Sequence, residues 1–104
     1  MLKSKDFYVL SQEADTDIDT IFEYTVKEFG FKQAVKYVSD FDPIFKHLLI
    51  NPNIGKSRDE IKKGLLSFIK EEHVIFYTIL SNRIRIIRIL HGRCDLPNQF
   101  SDCQ

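Results

Sequence analysis

The chain has no tryptophan, a single methionine, two cysteines, three prolines and four glycines among 104 residues. So little glycine and proline excludes collagen-like and low-complexity architectures. Two cysteines, Cys94 and Cys103, are too few for a disulfide scaffold and point to a reduced, cytosolic setting. Long apolar runs are missing too. The longest, Val74 to Leu80, is interrupted by Thr78 and falls far short of the ~18 residues of a membrane span. The opening Met1-Leu2-Lys3-Ser4-Lys5-Asp6 lacks the apolar stretch of a secretory signal. Net charge is absent as well, with 15 basic residues against 15 acidic ones. What is present, 43% hydrophobic and 29% charged residues, describes one globular domain over residues 1–104. A chain of this length buries roughly two-thirds of its unfolded surface, enough for a single core.

The zero balance hides an asymmetry. Residues 1–30 carry three basic and seven acidic side chains, and residues 31–70 carry eight basic and four acidic. Four of the five arginines, Arg83, Arg85, Arg88 and Arg93, fall within eleven residues. Such a distribution suits a charged partner and equally an ordinary solvated surface.

Asp6 to Leu10 is short, aromatic and β-branched, and reads as a strand. The carboxylates Asp15, Asp17 and Asp19 mark a helix start, with Asp15 or Thr16 placed to cap free N–H groups. Ile18, Ile21, Phe22, Val26 and Phe29 share one helical stripe, and Gly30 sits where a C-cap closes it. Ala34, Val38, Phe41, Phe45 and Leu48 define a second helix, forced by the short connection into an antiparallel hairpin with the first. Pro43 falls inside that pattern and predicts a kink, or a restart capped by Asp42. Asn51-Pro52-Asn53-Ile54-Gly55 ends it.

From Gly64 the period becomes two. Leu65–Lys70, His73–Leu80 and Arg83–His91 read as a three-strand meander with turns at Glu71-Glu72 and Ser81-Asn82. The result is an α+β fold of two layers, β-α-α-β-β-β, with the helical hairpin on one face of a mainly antiparallel sheet. The last strand carries the functional signal. Simple alternation puts Arg83, Arg85, Ile87, Ile89, His91 and Arg93 on one face, but the apolar phase slips at Ile86-Ile87. A bulge there would bring Arg88 round to join Arg83 and Arg85. A helical pair covers only one face of a sheet, so the other is expected to stand bare as a cationic docking platform.

Three chemistries fit such a platform. The arginines can be solvated residues that keep an edge from pairing. Together with His91 they can bind a phosphodiester and cleave RNA by general acid–base catalysis. They can also anchor a protein partner. His47, His73 and His91 lie on different elements without ligand spacing, so no metal or cofactor is expected. Neither cysteine is placed as a nucleophile, and no phosphate-cradling glycine loop is present. The mixed-charge stretch Lys56 to Lys63 reads as a solvated connection whose Arg58 can still reach an acidic partner.

Taken in order, Ala14-Asp15, Asp17-Ile18, Ile21, Tyr24, Asn51-Pro52-Asn53-Ile54-Gly55, Arg58-Asp59-Glu60-Ile61, Gly64-Leu65, Ser67-Phe68, His73-Val74-Ile75-Phe76-Tyr77 and Ile87 to Asp95 resemble the ParE toxins of bacterial type II toxin–antitoxin modules. The resemblance covers about residues 7–95 and implies the RelE/ParE-like fold. It further implies a cytoplasmic, plasmid-stabilising or growth-arresting toxin that inhibits DNA gyrase. Its implied partner is a ParD-like antitoxin whose C-terminal segment wraps the toxin, so that DNA is met only through antitoxin or gyrase, and no membrane is involved. Pro43 departs from the uninterrupted second helix usual in the family.

The same superfamily contains RelE-like ribosome-dependent mRNA nucleases, which resemble one another in a strand lysine pair, a middle-strand arginine, a late arginine and a tail tyrosine. Here Leu65–Ile69 has no lysine before Lys70, the middle strand opens His73-Val74-Ile75, and the tail has Phe100 without a hydroxyl. Only Arg93 matches. Binding is therefore expected rather than catalysis, with Arg58, Arg83, Arg85, Arg88, His91 and Arg93 as candidate contacts to gyrase or antitoxin. The alternatives are such a nuclease, with His73 or His91 substituting, or an inactive homologue acting only as an antitoxin-binding co-repressor.

Overall fold

The computed structural model describes residues 5–92. Strand β1 (Phe7–Leu10) leads into α1 (Gln12–Phe29), followed by α2 (Phe31–Ser39), α3 (Phe41–Ile50) and a 3-10 turn (Pro52–Ile54). Strands β2 (Lys56–Ser57), β3 (Leu66–Lys70), β4 (His73–Ile79) and β5 (Arg83–His91) complete the chain. The sheet order is β1-β5-β4-β3-β2, with β1 parallel to β5 and all other pairs antiparallel.

The first helix starts earlier than expected. Ser11, not Asp15 or Thr16, is its N-cap: the Ser11 hydroxyl accepts from Ala14 N–H at 3.0 Å, while Glu13 and Asp15 lie in the first turn. Asp17 is thereby left for another task. Gly30 closes the helix at φ 95°, a conformation side chains resist, and its N–H reaches the Val26 carbonyl at 2.9 Å. Phe22 and Phe31 meet edge to face at 5.8 Å across this corner.

The second arm of the hairpin is two helices, not one kinked helix. It breaks at Asp40 and restarts at Phe41, which puts Pro43 in the first turn, where a helix has no use for the missing N–H. Asp42 does not cap the restart. Its carboxylate accepts the Tyr8 hydroxyl and pairs with Lys46 at 3.0 Å, tying α3 to β1. The Tyr8 ring also packs edge-on against Phe45 at 5.0 Å.

The helices bury one sheet face. Ala14, Ile21, Phe41, Phe45 and Leu48 pack on Ile75, Tyr77, Ile84, Ile86 and Ile89 in the main core. Burying each large side chain stabilises by about 1.5–3 kcal/mol. Tyr77 also satisfies backbone: its hydroxyl donates to the Pro52 carbonyl at 2.7 Å and accepts from Gly55 N–H at 3.0 Å. That closeness requires glycine, because a Cβ on residue 55 would lie 2.4 Å from the same hydroxyl.

The far face is not bare, contrary to the sequence expectation. Phe76 and Leu90 are fully or nearly buried there with Leu65, under Ile61 and beside Val74 and Ile87. The stretch between β2 and β3, expected to be a solvated connection, supplies this second lid. The β1 end of the far face stays open, as does Ile69 on β3, opposite Val74.

Candidate functional site

The phase slip in the last strand is a bulge. Phe76 pairs with Arg88 and Tyr77 with Ile86, so Ile87 is the extra residue on β5. Its carbonyl is taken by the Ser11 hydroxyl at 2.7 Å, while Ser11 N–H bonds the Ile86 carbonyl at 2.9 Å. The residue that starts α1 thus also satisfies the irregularity in β5.

The bulge decides which candidates share a face. Cross-strand partners point the same way, and Tyr8, paired with Ile84, faces the helices. Phe7, paired with Arg83, and Val9, paired with Arg85, therefore point to the far face, as does Thr78 opposite Arg85. Arg88, opposite Phe76, joins that side as a bulge requires. His91 does not. It pairs with His73, whose Nδ1 meets the Tyr37 hydroxyl of α2 at 2.6 Å, so both imidazoles lie on the helix side. The expected union of His91 with the arginines fails because one inserted residue reverses the parity after Ile87.

Arg88 is also committed internally. Its guanidinium makes a two-pronged bridge to Asp17 on α1, Nε to Oδ2 at 2.8 Å and Nη2 to Oδ1 at 3.0 Å, with both side chains about 15% exposed. Asp17 Oδ2 further accepts Ile89 N–H at 2.9 Å. Strand β1 stops at Leu10, so among the described residues the β5 edge beyond Ile86 has no strand neighbour, and the Asp17 carboxylate stands in for one. The Asp17 bond holds the Arg88 proton even more firmly than usual. Arg58 pairs with Glu60 at 2.8 Å. Arg93 lies outside the described residues, as do Cys94, Cys103 and Phe100.

Two arginines remain outward. Among the described residues neither Arg83 nor Arg85 has a carboxylate partner: Arg83 donates only to Asn82 Oδ1 at 3.2 Å, and Arg85 is exposed.

A second polar cluster, missed by sequence reasoning, closes the β3–β4 hairpin. Lys70, only 5% exposed, sets its ammonium 3.6 Å from the Tyr37 ring centroid and pairs with Glu71 at 2.8 Å. The His73 and His91 rings approach edge to face at 5.4 Å, and His91 Nε2 lies 3.2 Å from Glu72 Oε1. Burial pushes His73 down to about 4, His91 and Lys70 adding to it against Glu72 and Glu71. Burial likewise pushes the Tyr37 hydroxyl up to about 12, reinforced by Glu71 and Glu72. Lys70 is thus a core cation over an aromatic ring, not a lysine presented to a substrate. Among the described residues no group of His, Cys, Asp and Glu could hold a metal ion.

This architecture, a helical arm pair on one face of a mixed sheet, is shared with a chain of the chromosomal ParDE TA system from P. aeruginosa. The two align with a TM-score of 0.73 at 23% identity, over 85% of this chain and 96% of that one. In sequence the chain is 30% identical to Toxin ParE1 of Mycobacterium tuberculosis (strain ATCC 25618 / H37Rv), over 89% of this chain and 96% of the relative. It is also 30% identical to Toxin ParE1 of Caulobacter vibrioides, over 81% and 86%. Residues 8–96 match the family described as ParE toxin of type II toxin-antitoxin system, parDE. The chain belongs to that family.

Proposed function

We propose that this chain is a toxin that inhibits DNA gyrase by binding, without turnover, and that a ParD-like antitoxin neutralises it. The observation that carries this is the family match across residues 8–96, nearly the whole chain. The site chemistry supports it. Among the described residues the strand cations of such a nuclease are absent or turned inward: Lys70 lies over Tyr37, and Arg88 grips Asp17. His91 and His73 sit on the helix-covered side, away from Arg83 and Arg85. Outward arginines without carboxylate partners set association rate and partner choice, while apolar area supplies affinity. No helix of the described residues is long and apolar enough to cross a membrane.

The test adds the purified chain to gyrase with relaxed plasmid and ATP, and separately to ribosomes programmed with mRNA. Lost supercoiling or accumulated cleavage complexes, relieved by the antitoxin, is the expected outcome. Codon-positioned mRNA cuts with unimpaired gyrase would overturn it in favour of a nuclease. Neither effect, with antitoxin binding retained, would reduce the chain to a co-repressor.

A further inference from the structure

The open β1 end of the far face combines four features. Phe7 is a large aromatic left 42% exposed. It stands in register with Arg83 on the neighbouring strand, and Val9 stands in register with Arg85. Neither arginine has a carboxylate partner among the described residues, whereas Arg58 and Arg88 both do. Lys5, just before β1, brings a third cation to the same end, its ammonium on the Ser81 carbonyl at 3.3 Å beside the β4–β5 turn.

We propose that Phe7, Val9, Thr78, Arg83 and Arg85 form a binding platform for single-stranded nucleic acid. This goes beyond the proposed gyrase inhibition and beyond the indirect DNA contact that the family resemblance implies. The arginines are two residues apart on one strand, about 7 Å along it, a spacing comparable with that of consecutive phosphates on an extended strand. The Phe7 ring offers a surface on which a base can stack, and stacking tolerates any sequence because every base has a π-face. A duplex keeps its bases stacked inside and would leave the ring unused. An acidic peptide would answer the arginines but has no planar group for the ring. The pairing on one sheet face of an exposed aromatic with guanidinium groups that lack carboxylate partners among the described residues therefore favours an unpaired strand.

The experiment is fluorescence anisotropy of a labelled oligothymidylate titrated with the full chain, without gyrase or antitoxin, between about 50 and 200 mM salt. Saturable, salt-sensitive binding is expected. The double variant Arg83→Gln/Arg85→Gln should weaken it about tenfold or more and flatten the log–log salt slope by about 1.4, at about 0.7 per phosphate contact. Phe7→Leu should weaken it by at least about fivefold while leaving the slope unchanged. Lys32→Gln/Lys36→Gln on α2 should have no effect. All the altered side chains are wholly or partly exposed, and an unchanged thermal unfolding midpoint shows that each variant is folded. No binding at low salt, undiminished binding by the folded double variant, or equal binding of a blunt duplex would overturn the proposal. Displacement of the oligonucleotide by polyglutamate at equal charge concentration would also overturn it and assign the platform to an acidic peptide. Because gyrase is absent, failure here leaves the supercoiling assay to judge inhibition separately.

Discussion

Arg88 and Asp17 provide the sharpest test of how this fold uses its charges. The guanidinium and carboxylate make two bonds of 2.8 and 3.0 Å, and the same carboxylate accepts Ile89 N–H at 2.9 Å. Charge-assisted hydrogen bonds contribute about 1.5–3 kcal/mol each, and removing one member of a buried pair costs about 3–5 kcal/mol. These side chains retain some solvent contact, so Arg88→Ala should destabilise by about 2–3 kcal/mol. Asp17→Ala should cost about as much or more, because it strands the Ile89 N–H as well as the guanidinium. For a domain of this size such losses lower the unfolding midpoint by roughly 10–20 °C. The double variant should cost far less than the two singles combined, with a coupling of about 1–3 kcal/mol. Urea unfolding followed by circular dichroism reads all four corners of the cycle. Additivity within about 0.5 kcal/mol would refute the reasoning and return Arg88 to the surface as a candidate contact. The cycle matters for function too, since lost toxicity in Arg88→Ala would then report a damaged fold rather than a damaged interface.

Three further outcomes are expected. Gly55→Ala drives a methyl to within 2.4 Å of the Tyr77 hydroxyl and 2.9 Å of the Ser67 carbonyl; it should destabilise by about 1–3 kcal/mol in urea unfolding, and by less when combined with Tyr77→Phe. Tyr77→Phe alone strands the Pro52 carbonyl and Gly55 N–H and should cost about 1–3 kcal/mol by the same measurement. His73, lowered in the folded chain to about 4 from 6.5, takes up protons more readily when unfolded. Its contribution is fully present above about 6.5 and is lost as pH falls towards 4. His73→Gln should flatten the stability profile across that window, and an unaltered profile would show that another group governs it.

Much of this architecture is legible in local pattern. The packed stripe around Ile18 and Ile21, the break at Gly30 and the period of two after Gly64 each follow from local pattern, whereas Phe29, expected on that stripe, stands 68% exposed. The phase slip at Ile86-Ile87 announced the bulge. What it did to His91 was harder to see, because a single inserted residue reverses every later side chain and leaves the composition unchanged. Ser11 gives no local sign of being a cap, because Gln12 and Glu13 after it show no apolar face and the acidic cluster carries the stronger helix-start signal. Asp17 looks like its neighbours Asp15 and Asp19 in sequence, and only its bond to the Ile89 N–H on the β5 edge beyond β1 singles it out. Strand β2 is two residues long and exists through its pairing with Ser67 and Leu66, which no local signal encodes. The lid over Phe76 and Leu90 is equally invisible to local pattern. The stretch from Arg58 to Leu65 is mostly charged, and its two apolar anchors, Ile61 and Leu65, matter only once the sheet lies beneath them.

Inhibition by binding has a signature that catalysis lacks: its extent follows the ratio of toxin to target rather than time. The decisive measurement is gyrase supercoiling of relaxed plasmid across increasing toxin-to-gyrase ratios, with and without the ParD-like antitoxin. Inhibition should saturate near a fixed ratio, be independent of incubation time once equilibrium is reached, and be reversed by antitoxin. Undisturbed supercoiling at large toxin excess, with mRNA cut on ribosomes at substoichiometric toxin, would contradict it.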